Sequence, residues 1–319
     1  MKLLIIGSNF GKFHLKAAIA SKKFKEIFIA SPNILKKKNY FKVKKYKNYK
    51  DILKLKKIDT ITIATRPNIQ NQVLKFIYKK KCFPRYMILE KPILYKSFAI
   101  LKKYPKSCKF LTNFIYSFNK KWILYKKKIL FFNKIFNINY EWYFKQAYFI
   151  NKKSTWKIKK NDGGGLINYY LPHVIFNLLN IFKNIKFLNI ENKMFYQGIL
   201  VYIELIFIYK KNFCKIRICN KSNFKIHKLE VESDSRIKNY AIINKTKEWL
   251  SNFNIYENNK NFLKRNKFKK KDKDGRDLAL FNLYSNFKYY FSKKNIAINQ
   301  KLTYETFNII KIINKKLKC

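Results

Sequence analysis

Residues 3–15 read "LLIIGSNFGKFHL". An apolar run ends at Gly7, a short turn follows, and Gly11 opens a segment that reads as helix. A strand that turns through glycine into a helix aims the helix's first N–H groups at whatever lies in the turn, which suits an anionic diphosphate. Gly7 permits the tight turn and Gly11 a close approach of helix to strand. The full GxGxxG fingerprint is absent: Asn9 stands near the middle glycine and the loop is one residue short. Asparagine tolerates left-handed backbone better than other side chains, so the turn survives. Ser8, Asn9 and Phe10 complete the candidate cradle between the two glycines.

Working outward, "EIFIAS" (26–31), "TITIAT" (60–65) and "YMILEKP" (86–92) read as further strands. Lys12–Lys23 and Ile69–Lys80 are long enough for crossover helices, so the first third is a parallel sheet of α/β type. After about Tyr116 strand-like runs follow one another: 135–144, 198–209, 213–220, 223–233 and 236–244. In "CKIRIC" Cys214, Ile216 and Ile218 share one face while Lys215 and Arg217 share the other, the period of a half-exposed antiparallel strand. A polar, lysine-rich connection over 251–275 precedes two closing helices, Arg276–Phe291 and Thr303–Leu317, the latter with Thr303 as N-cap. The fold expected is an N-terminal Rossmann-type parallel-sheet domain over 1–116. An α+β domain with a large, mostly antiparallel open sheet follows over 117–319, its last helices free to pack back on the first domain.

Composition narrows the functional classes. The chain has 319 residues, 72 Lys+Arg against 17 Asp+Glu, and a net charge of +55. Only six of those cations are arginine, whereas a nucleic-acid reader favours the guanidinium fork. The lysines are spread along the chain and accompany Asn, Ile, Phe and Tyr, all types with A- and T-rich codons. Nucleotide bias explains the charge, so no specific nucleic-acid partner is expected. In such a chain the seven glycines mark positions where no other backbone serves, and five of them fall in two clusters. The five cysteines form no CxxC pair and no zinc spacing, and no metal site is expected; free thiols suit a reducing cytosol. "MKLLIIG" is too short for a signal peptide and no uncharged stretch spans a membrane, so a cytoplasmic location is expected.

Three further stretches carry candidate chemistry. The second strand ends at Ala30–Ser31, with Lys36–Lys38 downstream and no acid to hold ribose hydroxyls. A hydroxyl with cations nearby suits a 2′-phosphate, which inclines the cofactor from NAD toward NADP. Glu90, Lys91 and Pro92 stand just past the carboxyl end of a buried strand, where open α/β sheets bind ligands; a solvated surface pair is the competing reading. "NDGGGLINYYLPHV" (161–174) places three glycines side by side before Tyr169, Tyr170 and His173. On its own His173 also fits a satisfied histidine of the apolar run "HVIFNLL".

As a set these features resemble the glucose–fructose oxidoreductase, inositol dehydrogenase and rhizopine-catabolism (Gfo/Idh/MocA) family. The likeness covers most of the chain. It includes the glycine turn followed by His14, and "IATRPNIQNQV" (63–73), which is similar to a Thr-Pro-Asn-x-x-His segment with Gln70 at the histidine. It also includes "LEKPI", the pair Trp156–Lys157 ahead of Gly163–Gly165, and His173 eight residues after the last glycine. The resemblance implies a dinucleotide site of Gly7, Ser8, Asn9, Phe10, Gly11, Ser31, Thr65, Pro67, Glu90 and Lys91. It implies a substrate site of Lys91, Trp156, Asn168, Tyr169 and His173, with glycines that let the backbone pack closely below the cofactor. Lys91 would hydrogen-bond the reacting hydroxyl and lower its pKa, while His173 exchanges the proton, with Tyr169 beside it. The family's Asp four residues before the histidine is Tyr169 here, a second Asp is Phe176, and an Arg-Phe after the first domain is replaced near Tyr116. Members with this form look like those acting on sugars and nucleotide-sugars for surface polysaccharide synthesis. Association through the outer face of the second sheet implies a homodimer or homotetramer. The alternative is a catalytically degenerate dinucleotide-binding regulator or scaffold.

Overall fold

The computed structural model describes residues 1–32, 43–132, 134–151, 155–159, 162–233, 239–243, 254–257, 260–261 and 276–317. Lys36–Lys38, Gly275 and Cys319 lie outside the described residues. The chain forms two compact units, Met1–Ile115 with Asp277–Tyr304, and Tyr116–Arg276 with Glu305–Cys319.

The first unit alternates strand and helix: β1 (Lys2–Ile6), α1 (Gly11–Ser21), β2 (Glu26–Ala30), β3 (Val43–Tyr46), α2 (Tyr49–Leu55), β4 (Thr60–Ile63), α3 (Pro67–Lys79), β5 (Tyr86–Glu90), α4 (Tyr95–Leu101) and β6 (Lys109–Asn113). All six strands are parallel, in the order β3-β2-β1-β4-β5-β6. Two more strands are present than the apolar runs announce. β3 is "VKKY", lysine-bearing and half-exposed, and β6 is "KFLTN", apolar only in its middle. The central strands are covered on both faces: Leu3, Leu4, Ile5, Ile61, Ile63, Met87, Ile88 and Leu89 are all fully buried, as are Thr60 and Thr62 of β4. Strand order reverses between β1 and β4, so the carboxyl ends there form the crevice in which such sheets bind ligands.

In the second unit come α5 (Lys120–Ile129), β7 (Ile135–Lys145), α6 (Ala147–Asn151), a π-helical turn (Leu166–Tyr170), α7 (Leu171–Ile181), β8 (Lys186–Tyr196), β9 (Ile199–Tyr209), β10 (Asn212–Cys219), β11 (Lys221–Ser233), β12 (Asn239–Ile243), β13 (Asn254–Glu257) and β14 (Lys260–Asn261). The eight-stranded sheet has the order β14-β13-β12-β11-β7-β10-β9-β8 and is antiparallel except where β7 runs beside β10. Its inner face buries Ile138, Tyr140, Trp142, Ile203, Leu205, Cys214, Ile216 and Ile218. Lys215 and Arg217 face the other way, as the period of two requires. β13 and β14 fall within the stretch expected as a polar connection, and β8, mostly exposed, was not foreseen.

The chain closes with α8 (Arg276–Ser285), α9 (Phe287–Tyr290) and α10 (Lys293–Lys316). Three helices replace the two expected, and α10 begins ten residues before Thr303. Thr303 is therefore no N-cap: it is fully buried within the helix and its Oγ1 donates back to the Asn299 carbonyl at 2.7 Å.

Candidate functional site

At the sheet's reversal point Gly7 adopts φ +106°, and a Cβ there would fall on the Ala64 carbonyl of the neighbouring chain segment. Both facts demand glycine. Gly11 opens α1 with its would-be Cβ 3.1 Å from Ile5 Cγ2, which is the close helix–strand approach read from the sequence. Within the turn Asn9 is exposed and Phe10 half-buried, and Ser31 Oγ donates to Ser8 Oγ at 3.0 Å, tying the end of β2 to the turn. Thr65 follows β4 beside Gly7, and its buried Oγ1 has no hydrogen-bond partner among the described residues. Pro67 is buried at the start of α3. The predicted turn residues, Ser31 and Thr65 are thus gathered at one end of the sheet, where α1 begins.

Glu90 ends β5 as the hub of a buried polar chain. His14 Nε2 lies 2.7 Å from its Oε1, Asn113 Nδ2 donates to the same oxygen, and Gln70 Nε2 donates to the Glu90 carbonyl at 2.6 Å. On its other side His14 Nδ1 meets the Tyr284 hydroxyl at 2.9 Å, and that hydroxyl meets Thr62 Oγ1 at 3.0 Å. A carboxylate only accepts, so His14 donates from Nε2 to Glu90, and the Tyr284 hydroxyl links His14 Nδ1 to Thr62 Oγ1. Burial raises the Tyr284 pKa, the Thr62 hydrogen bond lowers it and the Glu90 charge raises it, leaving the phenol protonated. The Glu90 side chain is 12% exposed, and its Oε1 accepts from both His14 and Asn113. Lys91, the next residue, is half-buried, and the Lys91–Pro92 peptide is cis.

In the second unit the glycine run solves a packing problem. A Cβ on Gly164 would fall on the Trp156 carbonyl, and its N–H donates to the Lys159 carbonyl at 3.0 Å. Gly165, at φ +85°, donates to the Lys157 carbonyl at 2.7 Å, and Gly163 is also left-handed at φ +81°. The backbone that this run approaches is that of Trp156 and Lys157. The π-helical turn that follows sets the Tyr169 ring perpendicular to Trp156, centroids 5.2 Å apart, with Lys157 Nζ 5.3 Å above the phenol ring. Asn168 accepts from Asn314 Nδ2 at 2.9 Å. His173, on α7, is 9% exposed, and the rings of Tyr116 and Trp142 meet it edge-on at 5.7 and 6.1 Å. Trp142, and His227 behind it, carried no sequence signal: each is one large residue in an alternating strand.

Residues 1–109 match the GFO_IDH_MocA family, described as an oxidoreductase family with an NAD-binding Rossmann fold. Over those residues the parallel-sheet domain resembles that family. Solved structures of similar fold extend over the whole chain. A dehydrogenase from Clostridium difficile has a TM-score of 0.71 at 15% identity, covering 99% of each chain. Levoglucosan dehydrogenase, solved with NADH and levoglucosan, has a TM-score of 0.72 at 12% identity, covering 99% of this chain and 97% of that one. The WlbA dehydrogenase from Bordetella pertussis, solved with NADH and UDP-GlcNAcA, has a TM-score of 0.70 at 11% identity, covering 99% and 94%. At these identities the likeness is one of fold. Among curated proteins no match to the chain was found. Within the matched residues, the Gly7 turn is the element that an NAD-binding fold requires.

Proposed function

We propose that the chain is an NAD(P)-dependent oxidoreductase acting on CH–OH groups of a sugar, sugar derivative or nucleotide-sugar. The observation that carries this reading is the Gly7 turn, which no other residue can form, at the reversal point of a domain matching an NAD-binding family. The buried Thr65 hydroxyl beside it suits a bound dinucleotide. The sugar and nucleotide-sugar ligands of the levoglucosan and WlbA dehydrogenases support the substrate class. With no carboxylate at Ala30–Ser31, NADP is the cofactor favoured.

When bound, the nicotinamide supplies the hydride acceptor or donor. Lys91 donates a hydrogen bond to the reacting oxygen and lowers its pKa; His173 takes or returns the proton. Trp156, Asn168 and Tyr169 bind the sugar. The protein is a homodimer or homotetramer through the outward face of the second unit's sheet, where Phe213 and Phe224 are more than half exposed.

Nicotinamide absorbance with a panel of sugars and nucleotide-sugars tests this. The intact chain should turn over at least one, and Lys91→Ala and His173→Ala should each lose about 10²- to 10⁴-fold in kcat while still binding the dinucleotide. Cofactor binding with no turnover, or turnover untouched by either change, would overturn it in favour of a regulator.

A further inference from the structure

His227, on β11, is 2% exposed, and both its ring nitrogens are engaged: Nδ1 with the Tyr116 hydroxyl at 3.1 Å and Nε2 with the Tyr140 hydroxyl at 2.7 Å. Its ring stacks on Trp142, centroids 4.7 Å apart and planes within 12°. Tyr116 and Trp142 are the same two rings that meet His173 edge-on. One buried imidazole therefore anchors both walls beside His173, one by a hydrogen bond and the other by stacking.

Chemistry assigns a direction to this chain. Burial, with the Lys225 charge, pushes the His227 pKa down to about 3, so the ring is neutral, with one donor and one acceptor nitrogen. The short contact at Nε2 has the length of a bond from a hydroxyl, and the longer one at Nδ1 that of a bond from N–H. Tyr140 thus donates to Nε2, and Nδ1–H donates to the Tyr116 oxygen. Tyr116 is pinned at its tip, and an edge-to-face ring contact orients only as well as the rings making it are held.

We infer that His227 is a positioning residue, which through Tyr116 and Trp142 holds the ring of His173 in one orientation. Its catalytic meaning rests on the proton-transfer role proposed for His173; the positioning itself is measured without substrate or cofactor. The chain has three histidines, so the ring C–H signals of the intact protein are few enough to resolve by NMR, with His173→Gln assigning His173. In the parent, the His173 Cε1–H should be shifted by the ring currents of Tyr116 and Trp142. Tyr116→Phe keeps the ring but cuts its anchor, and should move or broaden the His173 signal while His14, in the first unit, stays in place. Tyr140→Phe removes the other hydrogen bond to His227 and should move the same signal, which covers the case in which one variant fails to fold. If the His227 signal moves in either variant and the His173 signal does not, the inference is overturned, and the turnover assay of His173→Ala is left standing on its own.

Discussion

His227 makes a residue-scale prediction with a definite sign. Its folded-state pKa, about 3, lies below that of an unfolded histidine, so between the two the unfolded chain binds a proton that the folded chain refuses. Its contribution is complete above about pH 6.5 and is lost as pH falls toward 3, at about 1.4 kcal/mol per pH unit. Urea denaturation at about pH 7 and about pH 4.5 should show a smaller fall in stability for His227→Gln than for the parent; equal falls would refute the assignment. Gly7 and Gly163–Gly165 stood out in the sequence because glycine is scarce, and the left-handed φ at Gly7, Gly163 and Gly165 explains why it persists there. His227 did not stand out. Its partners lie 111 and 87 positions away, and a lone histidine on an alternating strand has no spacing to mark it. The same distance hid the Glu90 network, whose Tyr284 comes from the far end of the chain.

Between elements, the outer edge of β6 is the exposed margin of the parallel sheet, and α10 closes it with side-chain amides. Asn299 accepts from the Thr112 N–H at 2.8 Å and donates to the Thr112 carbonyl at 3.1 Å, while Gln300 donates to the Phe110 carbonyl at 3.0 Å. An asparagine here does the work of a further strand, and an uncovered edge invites pairing between chains. Asn299→Leu leaves the Thr112 N–H without this acceptor, while its carbonyl keeps the Phe114 N–H at 3.0 Å, and should cost about 1–3 kcal/mol, with visible aggregation on heating. A melting temperature equal to the parent's would show that the edge needs no such cover. Gly164→Ala tests the other close approach: with backbone carbonyls in the way, about 1–3 kcal/mol should be lost in the same melt. The existence of most strands was readable from apolar runs, but β3, β6 and β8 were not, since each bears lysine and none is a continuous apolar run. The start of α10 was missed for a related reason: "KKNIAINQ" lacks a continuous apolar stripe because Asn299 and Gln300 face a strand edge that only the fold reveals.

For the whole molecule, a net charge of +55 would be expected to oppose association. On the outward face of the second sheet the charges are instead paired: Arg217 bonds Glu204 at 3.0 Å and Glu141 at 3.1 Å, and Lys215 lies 3.3 Å from Glu204. Such part-exposed pairs add little stability, but they leave a nearly neutral patch among exposed aromatics in an otherwise cationic surface. Sedimentation at micromolar concentration should find a dimer or larger, and Glu204→Lys should shift it toward monomer. A parent that sediments as a monomer removes the proposal. The order in which the chain is made gives the first unit a further property. Tyr284, which completes the Thr62–His14–Glu90 chain, is synthesised only after every strand of the second sheet. On the ribosome the parallel sheet is therefore made before the eight-stranded one yet finished after it, with His14 waiting for its phenol until α8 is made.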